Sequence, residues 1–92
     1  MLGMVNDRLR LILRDFAMTI TAAQARGARA LLNISQEEMA GLAGISRKTL
    51  TTFEAGEAGV KPGTVEKVQA ALEGAGAVFI ESDAGVGVMV KG

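Results

Sequence analysis

Hydrogen-bond donors cluster in one short segment near the middle of the chain. Residues 36–55 read QEEMAGLAGISRKTLTTFEA, and within them two cations and three hydroxyl side chains lie close together: Arg47, Lys48, Thr49, Thr51 and Thr52. If this part is helical, Leu50 and Phe53 form its buried side and the donors share the other side. Guanidinium, ammonium and hydroxyl groups bind phosphates and the edges of nucleic acid bases. The segment is therefore the candidate functional site.

Catalytic chemistry has no comparable candidate in the sequence. There is no cysteine and no histidine, which excludes thiol nucleophiles, disulfides, imidazole bases and nearly all zinc sites. Glu37 and Glu38 are adjacent, so they would point to different sides of a helix and form no catalytic pair. The glycines near the C-terminus lack the spacing of nucleotide-binding loops. We predict that the chain is not an enzyme and holds no metal or cofactor.

Size and composition predict one small domain. Ninety-two residues, of which 49% are apolar, make a marginal single core, so association between copies is expected. The formal net charge is zero, which argues against strong non-specific binding to nucleic acid. No apolar run approaches the about 18 residues of a membrane span, and charges interrupt the apolar N-terminal stretch, unlike a secretory signal. A cytoplasmic location is the expectation.

The donor segment has the start and stop residues of two short helices. Ser35 and Glu38 have the spacing of a capping box, which begins a helix. Gly44 can adopt the left-handed conformation that often ends one. Ser46 can then cap a second helix, which carries the donors. The segment is predicted to be two helices joined by a tight turn.

This segment resembles the helix-turn-helix of the Cro/phage-repressor (XRE) family of DNA-binding domains. The similarity covers about residues 20–73 and is carried by Gln36, Ala40, Gly44, Leu50 and the ending Phe53-Glu54-Ala55-Gly56. It implies a mainly α, lambda-repressor-like bundle of four to five helices. It also implies a sequence-specific transcriptional regulator that binds double-stranded DNA, as a repressor. The low local charge and the apolar ends of the chain predict that it acts as a homodimer. The alternative is a protein-interaction module on the same scaffold, an antitoxin or anti-activator with weak or no DNA binding, which the zero net charge keeps open.

The resemblance implies which residues contact DNA. The donor-bearing helix is the recognition helix, and its first turn enters the major groove. Gln36 stands at a helix N-terminus, where it can meet phosphate or brace the recognition helix. Lys61 follows in the loop that touches the DNA backbone in that family, although it could lie in a merely flexible connection. The predicted DNA-binding residues are Gln36, Ser46, Arg47, Lys48, Thr49, Thr51, Thr52 and Lys61.

One charged pair is predicted to be structural. In the resembled family an arginine seven residues before the Gln36 position pairs with the glutamate that ends the recognition helix. Here those residues are Arg29 and Glu54. The alternative is two separate solvated charges. Around them, Thr21 and Gln24 form a second capping box, and Pro62 suits the first turn of a last helix.

The two ends of the chain differ from its centre. We divide the sequence into an N-terminal extension (1–19), a helix-turn-helix domain (20–75) and a C-terminal β-hairpin (76–92). The extension has apolar residues at helical spacing: Val5, Leu9, Ile12, Leu13 and Phe16. It is interpreted either as a dimerisation helix or as a helix packed on its own domain, and its partial alternation also allows a strand.

Dimerisation is assigned to these ends. The C-terminal segment alternates valine with other residues after a turn signal at 82–85, which predicts a strand with an apolar face and an open edge. Pairing that edge with its copy would give a closed two-fold dimer. The candidate residues are Leu9, Ile12 and Phe16 in the extension and Val86, Val88 and Val90 in the strand, with a slight preference for the strand.

Overall fold

The computed structural model describes residues 19–91 as four helices followed by a two-stranded antiparallel hairpin. The elements are α1 Ala22–Leu32, α2 Gln36–Ala43, α3 Arg47–Glu54, α4 Pro62–Gly74, β1 Ala77–Ser82 and β2 Gly85–Val90. The predicted fold, a helical bundle with a C-terminal hairpin, is confirmed, with α2 and α3 as the helix-turn-helix. The amphipathic helix predicted in the extension lies outside the described residues. Within residues 19–91 no helix has the length and hydrophobicity to cross a membrane.

Both predicted capping boxes are present. Thr21 Oγ1 accepts from the Gln24 backbone N–H at 3.0 Å, and Gln24 Oε1 accepts from the Thr21 N–H at 2.9 Å. Ser35 and Glu38 repeat the arrangement at 3.0 and 3.1 Å. Each box satisfies N–H groups that the first turn of a helix leaves without partners, so α1 and α2 begin at fixed residues.

The turn between α2 and α3 depends on a left-handed residue. Gly44 has φ 69° and ends α2, a conformation that costs glycine little. Ser46 then caps α3 by accepting from the Thr49 N–H at 3.0 Å. Pro62 occupies the first turn of α4, where its missing N–H has no helical partner to lose.

The core lies between α1, α2 and α4, with α3 laid across it. Its fully buried large side chains are Met39, Leu50, Val68 and Leu72. Alanines at positions 25, 28, 40 and 43 are buried as well, which lets α1 and α2 approach their neighbours closely. Leu50 and Phe53 anchor α3 in this core. The opposite side of α3 is left to solvent.

The hairpin presents two different faces. Its strands pair from Ala77 opposite Val90 to Ser82 opposite Gly85, and successive side chains alternate between the faces. The inner face, formed by Ala77, Phe79, Val88 and Val90, packs toward the helices, and Ala77 and Phe79 belong to the core. The outer face, formed by Val78, Ile80 and Met89, is apolar and turned away from the core.

A buried glutamine ties the hairpin to α1. Gln24 is 3% exposed, and its Nε2 donates to the carbonyls of Gly87 and Ile80 at 2.9 and 3.3 Å. Nearby, Gly27 allows close approach, since a Cβ there would lie 3.2 Å from Val88 Cγ1. The same Gln24 amide therefore caps a helix through its oxygen and holds both strands through its nitrogen.

Candidate nucleic-acid interface

Helix α3 forms a ridge between two open cavities. The one on the α2 side has a volume of about 530 Å³ and is lined by Gln36, Arg47, Lys48, Thr51, Thr52, Ala55 and Glu57. The one on the α4 side has a volume of about 400 Å³ and is lined by Lys48, Thr49, Thr52, Ala58, Gly59, Val60, Lys61 and Thr64. Lys48 and Thr52 line both cavities, so they stand on the crest of the ridge. A single helix exposed in this way fits the roughly 12 Å width of the major groove.

The hydroxyl groups of α3 are partly used within the helix. Thr49 Oγ1 lies 2.8 Å from Ser46 Oγ, and Thr51 Oγ1 donates to the Arg47 carbonyl at 2.9 Å. Within residues 19–91 the side chains of Arg47, Lys48 and Thr52 make no hydrogen bond. These three are therefore the groups that an external ligand can reach without breaking an existing bond.

The C-terminal end of α3 is held by a partly buried ion pair. Glu54 is 4% exposed, and its carboxylate accepts from Arg29 Nε at 3.0 Å and from Arg29 Nη2 at 3.1 Å. This two-pronged geometry fixes both direction and distance. The structure thus places the two charges as partners, and Arg29 connects α1 to α3.

Arg26 also stabilises the C-terminal end of α3, a role that the sequence did not indicate. Its Nη1 donates to the backbone carbonyl of Glu54, one of the groups that a helix end leaves without a partner. Arg29 Nη1 also donates to the Ile34 carbonyl at 3.2 Å. The one available signal is the three-residue spacing of Arg26 and Arg29, which puts both on the same side of α1.

Gln36 connects the two helices of the helix-turn-helix. Its Nε2 donates to Glu54 Oε1 at 3.1 Å, and its Oε1 lies 3.5 Å from Thr51 Oγ1. The side chain braces α3 from the first turn of α2. An amide nitrogen carries two hydrogens, so one of them remains for a ligand in the cavity that Gln36 lines.

The charge on the ridge is more positive than the sequence indicates. Between residues 44 and 61 the cations are Arg47, Lys48 and Lys61 and the anions are Glu54 and Glu57. Because Glu54 is buried and neutralised by Arg29, only Glu57 opposes the three exposed cations. The local surplus rises from one positive charge to two, and Lys61 extends it to the N-terminal end of α4.

The predicted dimerisation residues are in different environments. Val86 is 48% exposed, whereas Val88 packs against the core and Val90 is half-buried on the inner face. The free edge of β2 pairs with no strand among residues 19–91. Leu9, Ile12 and Phe16 lie outside the described residues.

Comparison with known protein families agrees with this geometry. A family model described as helix-turn-helix, of the Cro/C1 type, matches residues 26–75, which is more than half of the chain and includes α2, α3 and α4. A comparison with curated proteins gave no match. The matched region contains the residues that line both cavities beside α3 and the Arg29–Glu54 pair. The chain belongs to the XRE-type helix-turn-helix family of DNA-binding regulators.

Proposed function

We propose that this protein is a sequence-specific transcriptional repressor that binds duplex DNA as a homodimer, with α3 in the major groove. The observation that carries the proposal is the contrast between the two sides of α3. One side is fixed by Leu50, Phe53 and the buried Glu54. The other presents three donors that have no partner within residues 19–91, Arg47, Lys48 and Thr52. A rigid helix with free donors can read base edges without rearranging.

The donors divide into base-reading and phosphate-binding groups. Arg47 and Lys48 occupy the first turn of α3 and are suited to O6 and N7 of guanine, while Thr52 can place its methyl against thymine. Gln36 and Lys61 stand on opposite sides of the ridge and would meet the phosphates that border the groove. The hydroxyl groups at 46, 49 and 51 stabilise the helix through their own hydrogen bonds. They would also make further contacts to the DNA beside the ridge.

Repression is the simpler regulatory role for this surface. Occupying a promoter is enough to block transcription, whereas activation needs a second surface for the transcription machinery. A gel-shift titration against genomic fragments at low salt tests DNA binding. Transcription in vitro from a bound fragment then shows whether binding lowers or raises transcription. Binding to a protein with no DNA affinity would instead favour the interaction module, and rising transcription would make it an activator.

Arg47→Ala is expected to weaken binding to the preferred site by roughly 1–3 kcal/mol, because a bidentate contact to a base is lost. Fluorescence anisotropy with the preferred duplex and with a random-sequence duplex measures the difference. On random DNA the loss should be smaller. Lys67→Ala removes one charge at a position that lines neither cavity and serves as the matched control.

A lysine variant separates base reading from charge. Arg47→Lys keeps the positive charge but cannot form the two parallel bonds of a guanidinium. If Arg47 reads a base, the lysine variant keeps its affinity for random DNA but loses part of its preference for the site. If lysine restores binding on every sequence, Arg47 contacts phosphate and the assignment is wrong.

Gln36→Ala is expected to weaken binding to preferred and random DNA in similar measure. Its free amide hydrogen lies at the N-terminus of α2, where the helix dipole favours phosphate, and phosphates carry no sequence information. Competition between the two duplexes measures the ratio of affinities. A changed ratio at constant total affinity would contradict the phosphate role.

The homodimer is proposed to form through the open edge of β2. One ridge carries a surplus of only two positive charges, so one half-site should bind weakly. Edge pairing about a two-fold axis would join two hairpins into a four-stranded sheet. Recognition helices about 34–36 Å apart would then match half-sites one DNA turn apart.

Val86→Glu is expected to convert the dimer to a single-chain species, since a charge on an edge strand opposes strand pairing. For the native full chain at tens of micromolar, light scattering should give twice the mass of one chain. For the Val86→Glu variant it should give the mass of one chain. Ile12→Glu places the same charge in the N-terminal extension, which is the other candidate dimer interface. A native chain that is monomeric overturns the dimer, and a monomer produced only by Ile12→Glu moves the seam to the extension.

A further inference from the structure

The outer face of the hairpin is an apolar surface without a cover among residues 19–91. Ile80 and Met89 are 40% and 54% exposed, and Val78 lies beside Met89 in the pairing register. The inner face is already occupied by the core. A two-stranded sheet that is apolar on both faces is marginal in water unless its second face is also packed. Something is therefore expected to pack on the outer face.

The chain enters the described region beside this hairpin. Ile20 is 2% exposed, and the next residue, Thr21, bonds to the Gln24 side chain, which itself bonds the carbonyls of Ile80 and Gly87. Gln24 reaches these carbonyls from α1, which packs on the inner face. The eighteen residues that come before Thr19 therefore join the domain on that side and would pass an edge of the hairpin to reach the outer face. Residues 17–19 alone can reach about 10 Å when extended.

The preceding residues have the pattern and length to cover that face. Their apolar positions, at helical spacing, are Val5, Leu9, Ile12, Leu13 and Phe16. A helix over residues 5–16 would be about 18 Å long, and a six-residue strand such as β1 spans about 20 Å. The arginines at positions 8, 10 and 14 fall away from the centre of the stripe, and Asp83 lies in the turn of the hairpin.

We propose that residues 5–16 dock as an amphipathic helix on the outer face of the hairpin of their own chain. Val78, Ile80 and Met89 would then lie between the docked helix and the strands. The short connection at 17–19 favours the same chain over a second copy. Docking there leaves the edge of β2 open, so the proposal stands independently of DNA binding and of the dimer seam.

Engineered disulfides test the contact in the full-length protein. The chain has no cysteine, so only the introduced pair can react. Met89→Cys is combined in turn with Leu9→Cys, Ile12→Cys or Phe16→Cys, and a non-reducing gel with mass spectrometry reports the product. At least one pair should oxidise within the chain about tenfold faster than the control, because disulfides need close Cα positions and docking raises the effective concentration.

The control pair uses the opposite side of the same segment. Arg14 lies roughly half a turn of the wheel from the centre of the stripe, so Arg14→Cys with Met89→Cys should react slowly. Equal rates for all four pairs would show that no defined face docks. A disulfide-linked product of two chains would place a second copy on the outer face. Either result overturns the proposal.

Proteolysis gives a second measurement without new thiols. Trypsin cleaves after the arginines at 8, 10 and 14, and docking should protect those bonds. Met89→Glu should accelerate their cleavage about tenfold, since cleavage follows the population of the undocked state. Leu42→Glu puts the same charge at an apolar position on α2 that is 60% exposed, outside the hairpin, and should leave the rate unchanged. Equal acceleration by both variants would contradict docking on the outer face.

Discussion

Glu54→Ala is expected to lower the free energy of unfolding by about 3 kcal/mol, the lower end of the cost of breaking a buried pair, because the Arg29 side chain left without its partner is 24% exposed. Arg29 would keep its position beside α3 but lose both carboxylate bonds, and Gln36 would lose its acceptor. The total free energy of unfolding of a domain of this size is roughly 5–15 kcal/mol. Urea unfolding at 25 °C should therefore show a much lower midpoint, with a partly unfolded protein as the extreme case.

Two comparisons test whether the loss belongs to the Arg29–Glu54 pair. Glu57→Ala removes an exposed carboxylate three residues away and should change stability by no more than about 0.5 kcal/mol. The double variant Arg29→Ala, Glu54→Ala should lose less than the sum of the single variants, because it leaves no unpaired charge. A melting temperature that barely moves for Glu54→Ala would show that the pair contributes no more than a surface ion pair.

Gln24→Glu is expected to cost about 2–4 kcal/mol at pH 7, although the two side chains are nearly the same size. The carboxylate can still accept the Thr21 N–H and keep the helix cap. It cannot donate to the carbonyls of Ile80 and Gly87, which it would face as a buried negative charge. The hairpin should therefore loosen while α1 remains capped.

The loss should depend on pH in a defined direction. Burial beside two carbonyls raises the pKa of the introduced carboxyl in the folded state above its value of about 4.3 in the unfolded chain. The folded state then binds more protons, so the deficit relative to the native protein grows as pH rises above about 4 and saturates above the folded pKa. Gln24→Leu should show a deficit that is independent of pH. A deficit for Gln24→Glu that is equally constant would place the side chain in water.

Local patterns in the sequence predicted the beginnings and ends of the helices. The capping boxes at Thr21 and Ser35 span three residues each, and Gly44 acts through its own backbone, so none of them depends on the rest of the fold. The alternation at Val86–Val90 likewise predicted β2. The Arg29–Glu54 pair, by contrast, came from resemblance to a family, because no local spacing links residues 25 positions apart.

The contacts that the sequence did not predict all join distant parts of the chain. Gln24 has the residue type of a cap, but its amide nitrogen bonds strand carbonyls 56 and 63 residues later. No role for Arg26 follows from the sequence, and it holds the end of α3, 28 residues away. Such partners are fixed only when the helices pack. A polar residue on the buried side of α1, as Gln24 is, is the one sign that an internal partner must exist.

The two sides of α3 separate the residues that hold the fold from the residues proposed to read DNA. The buried residues of α3 are Leu50, Phe53 and Glu54. They make no hydrogen bond with the side chains of Lys48 and Thr52 on the crest. Exchanging crest residues should therefore alter stability by no more than about 0.5 kcal/mol each, and nearly additively. If α3 reads bases as proposed, target choice and folding can then diverge independently, so a library randomised at Arg47, Lys48 and Thr52 should consist largely of folded proteins that differ in the DNA they prefer.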